Sequence, residues 1–308
     1  MANEPFHDGE IAVQVRTGER ELARRHGAAI SARIAAGALP FLAKQRLIAL
    51  ATAGDDGHLW ASVWCGEPPF VHSDDGRHVS IASAASAVPS EDPVLRRVAV
   101  GRDVGILAIE LASRRRLRIN GTVERLSNDD VGVLVRESVA NCPKYIQRRQ
   151  PAGDAAPTRR GPAENGRVID EQRRALLENA DTCFVGSVHS ARGMDVSHRG
   201  GTPGFIRVVD ESTLRIPDYR GNSMFMTLGN FESDPRASLA IVDFEHGRVL
   251  SMSGSARLYF GVEDGGVETG GTGRCWDFLV REWLQFDLPS VARWELIDRS
   301  PFNPAGRK

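Results

Sequence analysis

Short runs of apolar residues, separated by polar turns, follow one another along most of the chain. The runs Arg46 to Thr52 and Leu59 to Trp64 flank the turn Gly54-Asp-Asp-Gly57, a pattern typical of a β-hairpin. Further strands are predicted over 78–82, 104–111, 116–123, 183–189, 204–209, 213–216, 238–244, 248–260 and 294–297. The pattern therefore predicts a mainly β protein built from antiparallel strands.

Apolar residues recur at helical spacing in a few other segments. From Glu10 to Ala36 they repeat every three or four positions, and Gly37 and Pro40 then end the predicted helix. Shorter helices are predicted over 129–140, 169–179 and 275–285. Each half thus reads as a helix, several strands and a final helix, which favours two small β-barrels with peripheral helices over a parallel sheet.

A change of composition separates the two halves. Pro, Gly and Ala dominate from residue 150 to 166 and the apolar periodicity disappears, which is typical of a linker. We therefore predict an N-terminal unit over 1–149, a linker over 150–166 and a C-terminal unit over 167–308. The Gly-rich stretch 261–273 is predicted to be a flexible loop.

The two halves also resemble each other. Gly66-Glu-Pro-Pro-Phe-Val71 resembles Gly201-Thr-Pro-Gly-Phe-Ile206, and 105–123 resembles 238–256 in the same order. Alternating strands carry little information, so a chance likeness is the alternative. A duplication predicts that the units pack about a pseudo-two-fold axis, as in an isologous dimer.

Composition excludes several classes of function. The 39 basic and 40 acidic residues of the 308-residue chain nearly cancel, which argues against a broad nucleic-acid surface. No apolar run approaches the ~20 residues of a membrane span, and the first ten residues do not resemble a signal peptide. The four cysteines form no C-x-x-C pair or Cys/His cluster, so we expect reduced thiols, no metal site and a cytoplasmic protein.

The second half carries the most specific motifs. Asp195-Val-Ser-His-Arg-Gly-Gly-Thr-Pro-Gly-Phe205 is followed by Leu214-Arg-Ile-Pro-Asp-Tyr-Arg-Gly-Asn222, Thr227-Leu-Gly-Asn230 and Asp234-Pro-Arg236. These segments resemble the pyridoxamine 5′-phosphate oxidase-like family of FMN-binding split barrels, closest to a bacterial branch with two such units per chain. The leader 6–10 and the segment 141–147 resemble longer members of this branch. The resemblance implies two tandem split β-barrels with FMN as the cofactor.

The chemistry of FMN gives these motifs a physical meaning. A turn from Pro217 to Asn222 leads into a predicted short helix, 223–228, whose N-terminal N–H groups suit a phosphate. Spacing alone favours a plain β-turn with a helix cap there, whereas the resemblance favours a flavin-site loop. The residues so implied in cofactor binding are Ser197, Arg199, Arg207, Pro217, Asp218, Tyr219, Asn222, Ser223, Met224, Thr227 and Asn230.

One departure from the family pattern concerns the phosphate. Met224 stands near the place where close relatives often carry Arg or Lys. Losing one charged hydrogen bond costs about 1.5–3 kcal/mol, or roughly ten- to a hundredfold in affinity. FMN would then bind weakly, be anchored from Arg199, Arg207 or the first half, or be replaced by another ligand.

Three further groups remain as candidates. His198 is the tentative catalytic residue, donating to the flavin pyrimidine oxygens or giving a proton to substrate, with an exposed strand histidine as the alternative. Arg114 to Arg116 with Arg118 make the most basic spot, for which a solvated hairpin turn is favoured over contact with a phosphate-bearing partner or substrate. Lys144 and Tyr145 are expected to line the cleft between the halves.

The leading hypothesis is an FMN-dependent oxidoreductase that exchanges a hydride between flavin N5 and a small substrate. NAD(P)H or a reductase would be the electron donor, and pairing of chains into a homodimer is left open. Because the first half lacks the Pro-Asp-x-x-Gly-Asn turn, we expect one site per chain. The alternatives are a non-catalytic flavin- or haem-binding protein, with His198 as axial ligand, and an oxidoreductase that uses the deazaflavin F420.

Overall fold

The chain forms two large antiparallel sheets with five α-helices on their periphery among the described residues. The computed structural model describes residues 4–82, 88–152, 161–262, 267–288 and 293–304. The helices are α1 (Asp8–Arg16), α2 (Arg20–Gly27), α3 (Leu39–Ala43), α4 (Glu171–Asn179) and α5 (Met226–Ser233). No helix of the described part is long and apolar enough to cross a membrane.

The first sheet has seven strands in the order β2-β1-β5-β6-β7-β4-β3. Their bounds are β1 (Leu47–Ala53), β2 (Leu59–Cys65), β3 (Val71–His72), β4 (His78–Ala82), β5 (Asp103–Glu110), β6 (Arg115–Leu126) and β7 (Asp130–Ala140). Two short strands follow, β8 (Arg148–Pro151) and β9 (Glu164–Gly166).

The second sheet repeats this strand order as β11-β10-β14-β15-β16-β13-β12, with β9 added beside β16. Its strands are β10 (Thr182–His189), β11 (Gly193–Gly200), β12 (Arg207–Asp210), β13 (Thr213–Pro217), β14 (Arg236–Asp243), β15 (Arg248–Tyr259) and β16 (Cys275–Asp287). The last strand, β17 (Trp294–Asp298), pairs with β8. The structure thus confirms a mainly β fold with two tandem units of antiparallel strands.

The strand register confirms the internal repeat. Gly105 on β5 lies opposite Asn120 on β6, and Ser238 on β14 lies opposite Ser253 on β15, which reproduces the sequence alignment. The register also shifts at the same place in both sheets, after Asn120 and after Ser253. A shared β-bulge at matched positions is a specific feature that chance likeness of strands does not explain.

A glycine follows each bulge because no side chain fits there. A Cβ on Gly254 would lie 2.1 Å from the carbonyl oxygen of Leu279, and one on Gly121 would lie 2.3 Å from that of Leu134. We expect Gly254→Ala to lower the free energy of unfolding by about 1–3 kcal/mol, the usual cost of overpacking. Chemical denaturation measures this loss. Gly37→Ala is the control, since a Cβ at Gly37 meets no atom of the described residues within 4 Å, and an equal loss in both variants would contradict the explanation.

Four apolar clusters lie among the described residues. One fills the interior of each unit, and a third joins residues of both units, among them Leu47, Val63, Phe184 and Val196. A smaller fourth cluster contains Phe6 and Met224. Strand β2 packs on β14 and β15, while its counterpart β11 packs on β5 and β6. This exchange of equivalent contacts is the pseudo-two-fold packing that a duplication predicts.

Several predicted elements are wrong. The helices predicted over 129–140 and 275–285 are the strands β7 and β16, whose β-branched and aromatic residues pair across the sheet. The helix predicted from Glu10 to Ala36 is broken at Gly18, with φ +71°, into α1 and α2, and residues 28–35 are not helical. Strands β3, β8, β9 and β11 were not predicted.

Two predicted loops fall partly outside the described residues. Of the linker predicted over 150–166, residues 153–160 lie outside them, and the described remainder includes the end of β8 and all of β9. Of the loop predicted over 261–273, residues 263–266 lie outside, and the described remainder contains no helix or strand. The helix α4 matches its prediction closely, with the Asp170 side chain accepting the N–H of Arg173 as its N-cap.

Candidate functional site

A narrow cleft lies where the two units meet. Its walls come from β6, the segment 141–145 after β7, the end of β11, and the loop that joins β13 to α5. The cavity within it measures about 90 Å³, room for a few water molecules. Since β6 belongs to the first unit and β11 to the second, packing of the two units builds the site.

Strand β11 brings three predicted residues to the cleft, namely Ser197, His198 and Arg199. The Ser197 hydroxyl accepts a hydrogen bond of 2.8 Å from Thr227 Oγ1 on α5. This buried bond fixes the first turn of α5 against the strand. The helix therefore presents its N-terminus to the cleft, where backbone N–H groups favour an anion.

His198 is buried, with only 3% of its surface exposed. Neither ring nitrogen has a hydrogen-bond partner among the described residues. Burial, together with Arg116, Arg199 and Arg149, holds the pKa of His198 well below its usual range. The imidazole is therefore neutral near pH 7 and offers one N–H donor and one acceptor. The exposed-histidine alternative is wrong.

Two arginines of β6 enter the cleft from the first unit. Arg116 donates to the carbonyl oxygens of Cys142, at 2.8 Å, and His198, at 3.4 Å. Burial lowers the pKa of Arg116 to about 9, so its guanidinium remains charged at neutral pH. Arg118 is buried with its Nε 3.1 Å from Asp195 Oδ1. The expected solvated turn is therefore wrong for these two residues.

Backbone strain is concentrated at the cleft. Four described residues other than glycine have positive φ, and three of them, Tyr145, Ser223 and Phe225, line the cleft. Such conformations cost about 1–3 kcal/mol each and cluster at functional sites. Tyr145 also packs against Tyr219, with ring centroids 5.0 Å apart, and donates to the carbonyl of Arg220.

Eight of the eleven residues implied in cofactor binding line the cleft; Arg207, Met224 and Asn230 do not. Arg207 is exposed on β12. Met224 is buried beside Phe6 and Met226, and the Asn230 amide donates to Ser187 Oγ. The lining residues for which the sequence assigned no role in the site are Leu107, Arg116, Arg118, Asn141, Cys142, Gly200, Phe205, Gly221, Phe225, Met226 and Leu228. Lys144 and Tyr145 line it as expected.

The pseudo-symmetric position carries different chemistry. By strand register, His198 and Arg199 correspond to Val63 and Trp64, and Arg116 corresponds to Val249. These counterparts are apolar and buried. The polar cleft is therefore present on one side of the pseudo-two-fold axis, and its equivalent is packed with side chains.

No protein-family model and no curated protein matches the chain. Solved structures do match. HupZ of Group A Streptococcus is 16% identical, with a TM-score of 0.29, and covers 37% of this chain and 90% of its own. A candidate pyridoxamine 5′-phosphate oxidase from Lactobacillus delbrueckii is 14% identical, with a TM-score of 0.32 and coverages of 38% and 94%.

A third match is an FAD-binding protein of Mesorhizobium loti, 9% identical, with a TM-score of 0.29 and coverages of 40% and 97%. Each of these three solved structures spans well under half of this chain and nearly all of its own.

The donor set of the cleft suits a flavin nucleotide. Arg116, Arg199 and the N-terminus of α5 offer positive charge to a phosphate. The neutral His198 has one donor and one acceptor to place against the pyrimidine edge of the ring, which also both donates and accepts. The residues present therefore fit FMN in their chemistry, although a flat ring requires the side chains around the 90 Å³ cavity to move apart.

Proposed function

We propose that the chain binds FMN in the cleft and acts as an oxidoreductase on a small substrate. The observation that carries the proposal is His198, a buried neutral imidazole whose two ring nitrogens both lack a partner in the cleft wall. Buried polar groups in folded proteins normally have hydrogen-bond partners. Two ring nitrogens that lack such partners in a cleft therefore indicate a ligand. The arginines around it indicate that this ligand is an anion.

The protein's own residues then have separate roles. Arg116 and Arg199 provide the positive charge that attracts the anionic ligand into the cleft, and the Ser197–Thr227 hydrogen bond keeps the N-terminus of α5 facing it. His198 orients the ring through its free donor and acceptor, while Tyr145 and Tyr219 cover part of the cleft from water. When bound, FMN supplies hydride exchange at its N5 atom.

The visible spectrum of the purified protein tests the proposal. After incubation with FMN and removal of the excess, we expect an absorbance band near ~450 nm at one flavin per chain. A Soret band would instead favour a haem-binding protein, and uptake of F420 would favour the deazaflavin alternative. A protein that takes up no flavin would contradict the proposal. Uptake of two flavins per chain would contradict the single site. Anaerobic reduction by NAD(P)H then separates an enzyme from a passive carrier.

A single substitution tests the placement of the anion. We expect Arg116→Gln to weaken FMN binding about ten- to a hundredfold, because one charged hydrogen bond is worth about 1.5–3 kcal/mol. Fluorescence titration of flavin measures the dissociation constant. Arg207→Gln is the matched control, since Arg207 is exposed on β12 outside the cleft. Equal affinities in the two variants would show that Arg116 does not face the anion.

A further inference from the structure

The first helices of the chain form hydrogen bonds with the loop that leads into α5. We call residues 4–27, which contain α1 and α2, the N-terminal arm. Gln14 Nε2 donates to the carbonyl of Met224 at 2.9 Å, and His26 Nδ1 lies 2.6 Å from the carbonyl of Asn222. The arm therefore holds the same loop that the family resemblance implicates in phosphate binding.

Glu19 of the arm takes two donors from this region. One carboxylate oxygen accepts the hydroxyl of Ser223, a residue that lines the cleft. The other accepts Nη1 of Arg274 at 3.0 Å. A hydroxyl and a guanidinium on one anion form the kind of donor pair that also binds phosphate oxygens. Glu19 thus holds its carboxylate at a position suited to an anionic ligand.

Arg274 packs against the loop that joins β13 to α5. Its Nε donates to Asp218 Oδ2 at 2.9 Å, and its guanidinium carbon lies 5.0 Å from the ring centroid of Phe225. Its remaining nitrogen, Nη2, is buried and has no hydrogen-bond partner in the part of the chain that the structure describes, and the residue is 6% exposed. Both Asp218 and Phe225 line the cleft. A buried guanidinium with a spare donor therefore lies directly behind the loop that has Met224 where relatives carry a cation.

We propose that Arg274 and Ser223 bind the phosphate group of the flavin, and that the Glu19 carboxylate competes with this phosphate for them. The inference rests on the proposed function. Arg274 then supplies the positive charge that Met224 lacks. Because a carboxylate and a phosphate repel each other at such close range, the two anions exclude each other.

Glu19 is free to leave without unfolding the arm. It is the N-cap residue of α2, but its side chain makes no capping hydrogen bond, so the helix does not depend on the carboxylate. Its side chain is also 18% exposed, which gives it a route to solvent. When a phosphate displaces the Glu19 carboxylate, the hydrogen bonds from Ser223 and Arg274 to Glu19 are lost. The phosphate then accepts hydrogen bonds from the same two donors.

Glu19→Gln tests the competition, with FMN and riboflavin as the two probes. Riboflavin has the same ring but no phosphate. We expect the variant to bind FMN about tenfold more tightly than the wild type, with the riboflavin affinity unchanged, since only the charged competitor is removed. Glu21→Gln is the control, because Glu21 is exposed on α2 and forms an exposed ion pair with Arg24 on the same helix. It should leave both affinities unchanged.

Arg274→Gln in the Glu19→Gln background tests the cation. We expect a ten- to a hundredfold loss of FMN affinity, no change for riboflavin, and partial recovery with Arg274→Lys. Weaker FMN binding by Glu19→Gln, or equal tightening of both flavins, would overturn the competition and leave the proposed function standing. If no variant binds either flavin, the proposed function fails and this inference fails with it.

Discussion

Arg118→Met is expected to lower the free energy of unfolding by about 3–5 kcal/mol, the usual cost of leaving one charge of a buried pair without its partner. The side chains of Arg118 and Asp195 are 7% and 4% exposed, and they join β6 of the first unit to β11 of the second. Methionine fills a similar volume, so the loss reports charge rather than a cavity. Urea denaturation at neutral pH measures it.

An exposed ion pair provides the contrast. Arg46 and Glu67 are 41% and 61% exposed, and Arg46→Met should cost less than about 1 kcal/mol because water already solvates both charges. In the double variant Arg118→Met, Asp195→Leu, we expect much of the lost stability to return, since no buried charge is left unpaired. Similar losses for Arg118→Met and Arg46→Met would show that the buried pair is solvated in solution.

Periodicity in the sequence located most strands but assigned the wrong structure to the long final strand of each unit. In the segment 130–140, Val131, Val133 and Val135 alternate in the manner of a strand, while Leu134 and Val139 also satisfy a helical spacing. Local pattern does not separate the two cases. Pairing with β6 and β4 makes the segment a strand, because the backbone N–H and C=O groups of both neighbouring strands need hydrogen-bond partners.

The sequence could predict one wall of the cleft and missed most of the other. The motifs around Ser197 and Asn222 are contiguous, so a family resemblance identifies them. Arg116 and Arg118 reach the cleft only because β11 packs on β6 about the pseudo-two-fold axis. The sequence singled them out only as a basic spot, and applying the predicted pseudo-symmetry to the two strands would have placed them in the cleft. The role of Glu19 depends on how the arm folds back, which no local pattern records.

Burial of a carboxyl group in the arm makes stability depend on pH. Glu10 is 3% exposed, on the helix α1 that packs against α5, and its Oε2 accepts the N–H of His7 at 2.8 Å. Burial, assisted by the nearby carboxylates of Glu137 and Asp195, raises the pKa of Glu10 to about 8 from 4.5. In the folded protein Glu10 therefore keeps its proton at neutral pH.

We expect Glu10→Gln to stabilise the protein progressively as the pH rises. The unfolded chain loses the Glu10 proton near pH 4.5 and the folded chain near pH 8. Between these values the wild type therefore becomes less stable as the pH rises. Relative to the variant, its free energy of unfolding should fall by about 1.4 kcal/mol per pH unit over that window. Glutamine keeps an oxygen acceptor for His7 and carries no charge.

Unfolding of both proteins by urea, at intervals between about pH 5 and about pH 8, gives the difference directly. Glu137 has a raised pKa as well, but it is present in both proteins and largely cancels in the comparison. Glu21→Gln, on the exposed face of α2, should follow the wild type at every pH. Parallel curves for Glu10→Gln and the wild type would mean that Glu10 ionises as freely in the folded chain as in the unfolded one, and that α1 does not bury it.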